Sequence, residues 1–414
     1  MNSFIKNVSV LASGAIIGQI VVILASPILT RLYTVEAFGI LSVFTSVCTI
    51  LSLFSTGRFE LAIVLPKLNE NALKLIKLIF YIAIFVSFFY FIVIFISKEI
   101  LKVNDSIGFL KYLTAYAAPL YIFFVALLSA LSYWNQRKKA YKTITIANAL
   151  QSISNTIISL ALGFLIINNN NNGMIWGLVG GIVVTVGYLI LKDKYLVKNV
   201  FRTKGVKEVA QEYKAFPKYM IFSDLSLNTN QQITPILFSH LYNSTIVGHY
   251  SLANRILRLP NIIVTSSVAN VFRNDAIDEI RNKNNCKELY ISTFKKLFLI
   301  AFPVYLTVFL ISPFIFQFIF GESWGMAGEF GRIISLYLFF EFIATPLNTL
   351  FYIREQQKKL MLIQISNLIM SITMIVLGAK LFGDPRVSLL FYTINSIFFN
   401  LLLLLKSYKL SKQI

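Results

Sequence analysis

Long apolar runs separated by short charged segments organise this chain from end to end. A helix that crosses a bilayer needs roughly 20 apolar residues. Twelve stretches meet that length, at about 8–30, 37–57, 78–97, 112–133, 143–167, 174–191, 219–240, 247–269, 297–319, 329–352, 361–381 and 386–405. Those around 37–57, 219–240 and 247–269 are the most polar. None alternates apolar with polar residues, so barrel strands are not needed. The pattern predicts an all-α integral membrane protein with twelve transmembrane helices.

The second half of the pattern repeats the first. Pro27-Ile28-Leu29 returns as Pro235-Ile236-Leu237. Leu32-Tyr33, Gly39 and Ser42 return as Leu241-Tyr242, Gly248 and Ser251 at a constant offset of 209. Further on, Tyr121-Ile122-Phe123-Phe124 resembles Tyr337-Leu338-Phe339-Phe340, and Asn148 with Ser152-Ile153 matches Asn367 with Ser371-Ile372. Six spans per half is an even number, so both halves take the same orientation and relate by an axis along the membrane normal. Parallel repeats of this kind build transporters with the substrate path at the repeat interface. The expected organisation is an N-lobe over 1–191, a basic cytoplasmic linker over 192–218 and a C-lobe over 219–414.

Composition agrees with a membrane setting. Hydrophobic residues make up 57% of the chain and charged residues 14%, against about 25% charged in soluble domains. The net charge of +20 would suggest nucleic acid in a soluble protein. Sorted by segment, 29 of the 38 Lys and Arg fall on one side of the expected membrane, 7 on the other, and Arg255 and Arg258 inside a span. That asymmetry places both termini in the cytoplasm and removes the nucleic-acid reading. The first run is long for a signal peptide and is read as a retained helix.

Several enzyme classes are excluded by what the chain lacks. There is no G-x-x-x-x-G-K-[ST] loop, so this chain does not consume ATP. No H-E-x-x-H or G-x-S-x-G element is present. Cys48 and Cys286 lie in different segments and form no metal or disulfide framework. No cofactor is expected. A membrane glycosyltransferase would need a carboxylate or histidine constellation at one face, and the longest outer loop, about 98–111, is short for a catalytic domain.

Polar groups inside hydrocarbon are costly, so several on one helical face imply a wet or protein-lined surface. Asp224, Asn228 and Gln231 share one face of the seventh span, and Asn254, Arg258 and Asn261 one face of the eighth. Asn148 and Asn155 do so on the fifth, Glu341 and Asn348 on the tenth, and Asn367 with Ser371 on the eleventh. These are candidate cavity-lining residues. Arg255 and Arg258 are the sharpest feature, because each intramembrane Arg costs about 2.5–3.5 kcal/mol on insertion scales. They read as an anion site, since guanidinium binds phosphate bidentately, as partners of Asp224 or Glu341, or as snorkelling side chains if the span ends earlier. Arg58 and Glu60, at the inner end of the second span, read as a local ion pair or a gate. Asp224, Glu341 and Glu60 are candidates for ion coupling.

Four stretches carry a family resemblance. Leu32-Tyr-Thr-Val-Glu-Ala-Phe-Gly39 and Arg58-Phe-Glu-Leu-Ala-Ile-Val-Leu-Pro-Lys67 resemble the polysaccharide, or O-antigen, flippase family. Gly248-His-Tyr-Ser-Leu-Ala-Asn-Arg-Ile-Leu-Arg-Leu-Pro260 and Phe320-Gly-Glu-Ser-Trp-Gly-Met-Ala-Gly328 are similar to it in the second half. The family sits in the multidrug/oligosaccharidyl-lipid/polysaccharide exporter superfamily, whose members share much of this layout. The resemblance implies a flippase that moves undecaprenyl-diphosphate-linked oligosaccharide to the outer leaflet of a bacterial plasma membrane by alternating access. It would serve O-antigen lipopolysaccharide, capsule or exopolysaccharide synthesis, with Arg255, Arg258 and Arg58 holding the diphosphate. Implied partners are the bilayer and a polysaccharide polymerase with its chain-length machinery, the chain itself being a monomer. A cation-coupled multidrug exporter of the same superfamily is the alternative, and a membrane glycan polymerase or transferase the third reading.

Overall fold

The structure is a computed structural model that describes residues 3–100, 113–165 and 172–412. The expected outer loop at 98–111 therefore lies mostly outside the described residues. Within them every regular element is helical.

The first half contains α1 (Ser3–Leu32), α2 (Val35–Ser55), α3 (Asn69–Phe95), α4 (Ala117–Arg137), α5 (Tyr141–Leu165) and α6 (Gly173–Lys192). Two short helices follow, α7 (Lys194–Asn199) and α8 (Val206–Glu212). Then come α9 (Ile221–Leu241), α10 (Ser244–Leu257), α11 (Ser266–Lys283), α12 (Lys287–Phe320), α13 (Gly325–Leu347), α14 (Leu350–Ile353), α15 (Gln357–Phe382) and α16 (Pro385–Ser411).

Eight helical stretches are long and apolar enough to cross a membrane: those of α2, α3, α4, α6, α12, α13, α15 and α16. The other expected spans coincide with α1, described as an apolar helix over Ile17–Leu32, with α5, with α9, and with α10 running toward α11. Each of these apart from α1 carries a polar stripe, and α10, at 14 residues, is also short for a span. Large apolar side chains point outward, among them Phe85, Leu299, Phe314 and Phe318. A patch of that size would drive aggregation in water, whereas lipid covers it without cost. The chain is a multi-pass membrane protein.

One expected span changes. The eighth span is not one helix over 247–269. The α10 helix ends at Leu257 with Arg258 as its C-cap, and a π-helical turn over Asn261–Thr265 leads into α11. Pro260 explains the break, because it lacks an N–H and its ring clashes with the preceding turn. The segment 270–296, between the expected eighth and ninth spans, is helical save for a short break before Lys287. The segment 192–218 packs against α3 and α4. Leu196, Val200 and Val209 are buried in one core with Ile76 and Ile79 of α3 and Leu131 and Trp134 of α4. Lys77 fastens it further, donating to the carbonyls of Phe201 at 3.1 Å and Thr203 at 2.9 Å.

The chain divides into two compact units, Met1–Gln232 and Ile233–Ile414, with the division inside α9. In the first unit α5 packs on α1 and α6. Small residues let α5 and α6 approach: a Cβ at Gly181 would stand 2.8 Å from the Asn155 amide nitrogen. In the second unit α13 is the central helix, packed against α10, α12 and α16. Its Ala327, Phe330, Ile334, Leu338 and Phe342 recur at helical spacing and are fully buried.

The repeated Leu-Tyr pair has the same role in both units. Thr34 caps α2 by accepting the Ala37 amide at 3.2 Å, and Asn243 caps α10 by accepting that of Ile246 at 2.9 Å. The preceding tyrosine ties the corner to a distant helix. Tyr33 donates to the Ser159 carbonyl at 2.6 Å, and Tyr242 lies 2.5 Å from the Ser388 hydroxyl.

Candidate functional site

Two charged clusters hold most of the sequence-derived site residues, one in each unit. The first is built on a sharp reversal after α2. Gly57 and Arg58 both take left-handed backbone conformations, with φ of 56° and 59°. Glycine adopts this freely; arginine does so only where surrounding contacts hold it. Those contacts are two carboxylates. The Arg58 guanidinium donates to Glu60 Oε1 at 3.0 Å and pairs with Asp224 of α9. The Arg58 and Asp224 side chains are 21% exposed and that of Glu60 only 2%. Burial raises the Glu60 carboxyl above the usual carboxylate range, although Thr56 and Arg58 pull it back. The Arg58–Glu60 ion pair is as the sequence suggested, and Asp224 joins it rather than Arg255 or Arg258.

The second cluster lies where α10 ends. Arg258 donates to Glu341 Oε2 of α13 at 2.9 Å, with both side chains about a quarter exposed. Rings and amides from three helices close around it. Tyr337 donates to Asn254 Oδ1 at 3.2 Å. Asn261 is buried, accepts from Tyr305 and donates to the Leu338 carbonyl at 3.4 Å. Of the sequence readings for Arg258, the internal pair with Glu341 is present. Arg255, one turn earlier on α10, is different. It is half-buried, and among the described residues it makes no ion pair or side-chain hydrogen bond.

The remaining polar candidates scatter. Asn228 donates to the Asp224 carbonyl at 2.8 Å within α9, and Gln231 is exposed. Asn148 and Asn155 lie on the face of α5 turned to its neighbours, where Gly18 of α1 meets Ser152 and Gly181 of α6 meets Asn155. Asn367 accepts from Asn395 of α16 at 3.0 Å and from Ser371 at 3.3 Å. Asn155, Asn254, Asn261 and Asn367 thus face or bond neighbouring helices within their own unit. Asn348 caps α13, and its buried Oδ1 accepts no hydrogen bond among the described residues.

The sequence reading missed several partners. Asn395 sits in a polar stripe with Ser388, Tyr392 and Ser396, visible at helical spacing on α16. Asp193, just past the sixth span, is another, with Lys138 among its partners. Its carboxylate accepts from Trp134 Nε1 at 2.7 Å, from Lys138 at 2.5 Å and from the Leu196 amide at 3.0 Å. Burial alone would raise its pKa, yet those donors, Lys138 foremost, hold it below the usual aspartate value. Asp193 thereby locks α4 to α6 and starts α7.

Comparison with known proteins follows from this geometry. Residues 28–329 match the family described as polysaccharide biosynthesis protein. A search of curated proteins finds no match. Among solved structures, the fold is similar to an inward-facing multidrug resistance MATE family transporter of the MOP superfamily. That likeness has a TM-score of 0.72 at 13% identity, covering 96% of this chain and 92% of that one. It is also similar to the lipid II flippase MurJ in an inward closed conformation, with a TM-score of 0.68 at 15% identity over 98% and 90% of the two chains. A MOP superfamily transporter from Pyrococcus furiosus gives 0.62 at 13% identity, over 98% and 95%. At these identities the likeness establishes the fold.

Proposed function

Because the chain belongs to the polysaccharide biosynthesis protein family, we propose that it is a flippase for undecaprenyl-diphosphate-linked oligosaccharide units. It carries them across the bacterial plasma membrane by alternating access, without chemistry of its own. Twelve spans with both termini in the cytoplasm, lobes over 1–191 and 219–414, and a monomeric chain complete this reading.

One observation carries it. Arg255 is a half-buried cation without a protein counter-charge among the described residues, one turn from an arginine that has one. An unpaired charge in a spanning helix is expensive, so it persists where a ligand supplies the missing anion. A diphosphate fits because its oxygens accept bidentately from guanidinium. Arg258 is held by Glu341 and shapes the site, while Arg58 is occupied by Glu60 and Asp224. Glycan then needs only polar surface, and the polyprenyl tail remains in lipid.

The test is complementation of a deletion strain. Arg255→Ala should abolish the surface glycan ladder while membrane levels stay at wild type. A normal ladder would remove the anion role. The acidic cluster at Arg58 favours a second reading, in which Glu60 and Asp224 load a cation that drives export. Drug hypersensitivity of the deletion strain with an intact glycan ladder would support the exporter instead.

A further inference from the structure

The second unit carries a trough whose lining does not include Arg255. It has a volume of about 470 Å³ and lies where α12, α13 and α16 meet. Phe294, Phe298, Phe339, Phe340, Leu401 and Leu405 form most of its wall. The rings brace one another: Phe298 stacks on Phe302 with centroids 5.7 Å apart and meets Phe339 edge-on at 5.5 Å. Tyr290 and Tyr408 close one end. The Tyr290 hydroxyl is already committed to the Leu404 carbonyl at 2.9 Å and the Ser407 hydroxyl at 3.0 Å, so its ring rather than its polar tip faces the trough.

Two cations accompany the trough. Lys295 lines the trough, exposed, and the Lys412 ammonium lies 4.0 Å from the Tyr408 ring centroid. Among the described residues no acidic side chain lines the trough. An apolar channel flanked by cations complements a molecule with an apolar chain and an anionic head.

We propose that this trough is a specific binding site for an anionic glycerophospholipid, one acyl chain lying against the phenylalanine wall and the phosphate between Lys295 and Lys412. The lipid is a resident ligand of the second unit, not cargo.

Native mass spectrometry of the delipidated full-length protein, titrated with phosphatidylglycerol or phosphatidylcholine, tests it. One phosphatidylglycerol should be retained in preference to phosphatidylcholine. Replacing both cations (Lys295→Gln with Lys412→Gln) should weaken phosphatidylglycerol about thirtyfold, at roughly a factor of five per cation, and leave phosphatidylcholine unchanged. Leu401→Trp, which fills the trough from its lip, should lower occupancy by both lipids without moving the thermal midpoint. Inorganic phosphate should not displace the lipid. Equal retention of the two lipids, or phosphatidylglycerol binding that survives both variants, overturns the proposal. So does displacement by equimolar undecaprenyl phosphate, which would assign the trough to a carrier lipid. None of these results depends on Arg255.

Discussion

Arg58 in the first unit and Arg258 in the second solve one problem with opposite arithmetic. Both are arginines at the end of the helix that follows a repeated Leu-Tyr corner, and both are taken out of water. Arg58 meets two carboxylates, Glu60 and Asp224. Arg258 meets one, Glu341, and has a second guanidinium, Arg255, on the preceding turn. The first cluster therefore carries an excess of negative charge and the second an excess of positive charge. Removing one partner of a buried pair leaves an uncompensated charge, which costs far more than the pair contributes. The proposed function rests on this difference: the anion site is proposed at the second cluster, and the second reading, cation loading, at the first.

The largest effect should come from Arg58→Ala, which strands two carboxylates, one of them almost fully buried. Thermal unfolding in detergent should show a loss of about 4 kcal/mol, partly restored by adding Glu60→Gln. Glu341→Ala strands Arg258 beside Arg255 and should cost about 3 kcal/mol. The apolar exchange Arg258→Met with Glu341→Leu should return the midpoint to near wild type. If Glu341→Ala were as costly as Arg58→Ala, the two clusters would not differ in the way described.

Arg255→Ala sharpens the contrast because it should be nearly silent in stability. Removing a charge with no partner relieves desolvation, so the midpoint should stay level or rise, within about 1 kcal/mol. A large destabilisation would show that Arg255 is structural.

How much of this was legible in the sequence follows from distance along the chain. The Arg58–Glu60 pair spans two residues and could be read directly. The repeat at Tyr33 and Tyr242 was visible as a pattern, but not its function, since Ser159 and Ser388 lie more than a hundred residues away. Asp224 and Glu341 were identified as candidates without a means of assigning each to its arginine, because tertiary packing alone decides that. The stripes on the fifth, seventh and eleventh spans lie on continuous helices, whereas that of the eighth runs through the break after Leu257. Their direction was not legible: periodicity locates a face, and only the neighbours show whether it meets a helix or water. Asn155 against Gly181 and Asn367 against Asn395 face helices. The break after Leu257 was signalled by Pro260 and went unread because apolar residues continue on both sides.

The smallest effect lies within the first unit. Asp193 has a depressed pKa, so its stabilisation is present above the unfolded aspartate value near ~3.9 and is lost as pH falls through the lower folded value. Asp193→Asn should cost about 1 kcal/mol at neutral pH, and its deficit relative to wild type should shrink below about pH 4. A deficit that stays constant with pH would mean that Asp193 acts by shape rather than charge.

The central claim is that Arg255 is the anchor for a diphosphate. Equilibrium binding of undecaprenyl diphosphate to the purified protein tests it most directly. A charge-assisted contact of this kind is worth about 1.5–3 kcal/mol, so Arg255→Ala should bind roughly ten- to a hundredfold more weakly at unchanged stability. Wild-type affinity in Arg255→Ala would contradict the account.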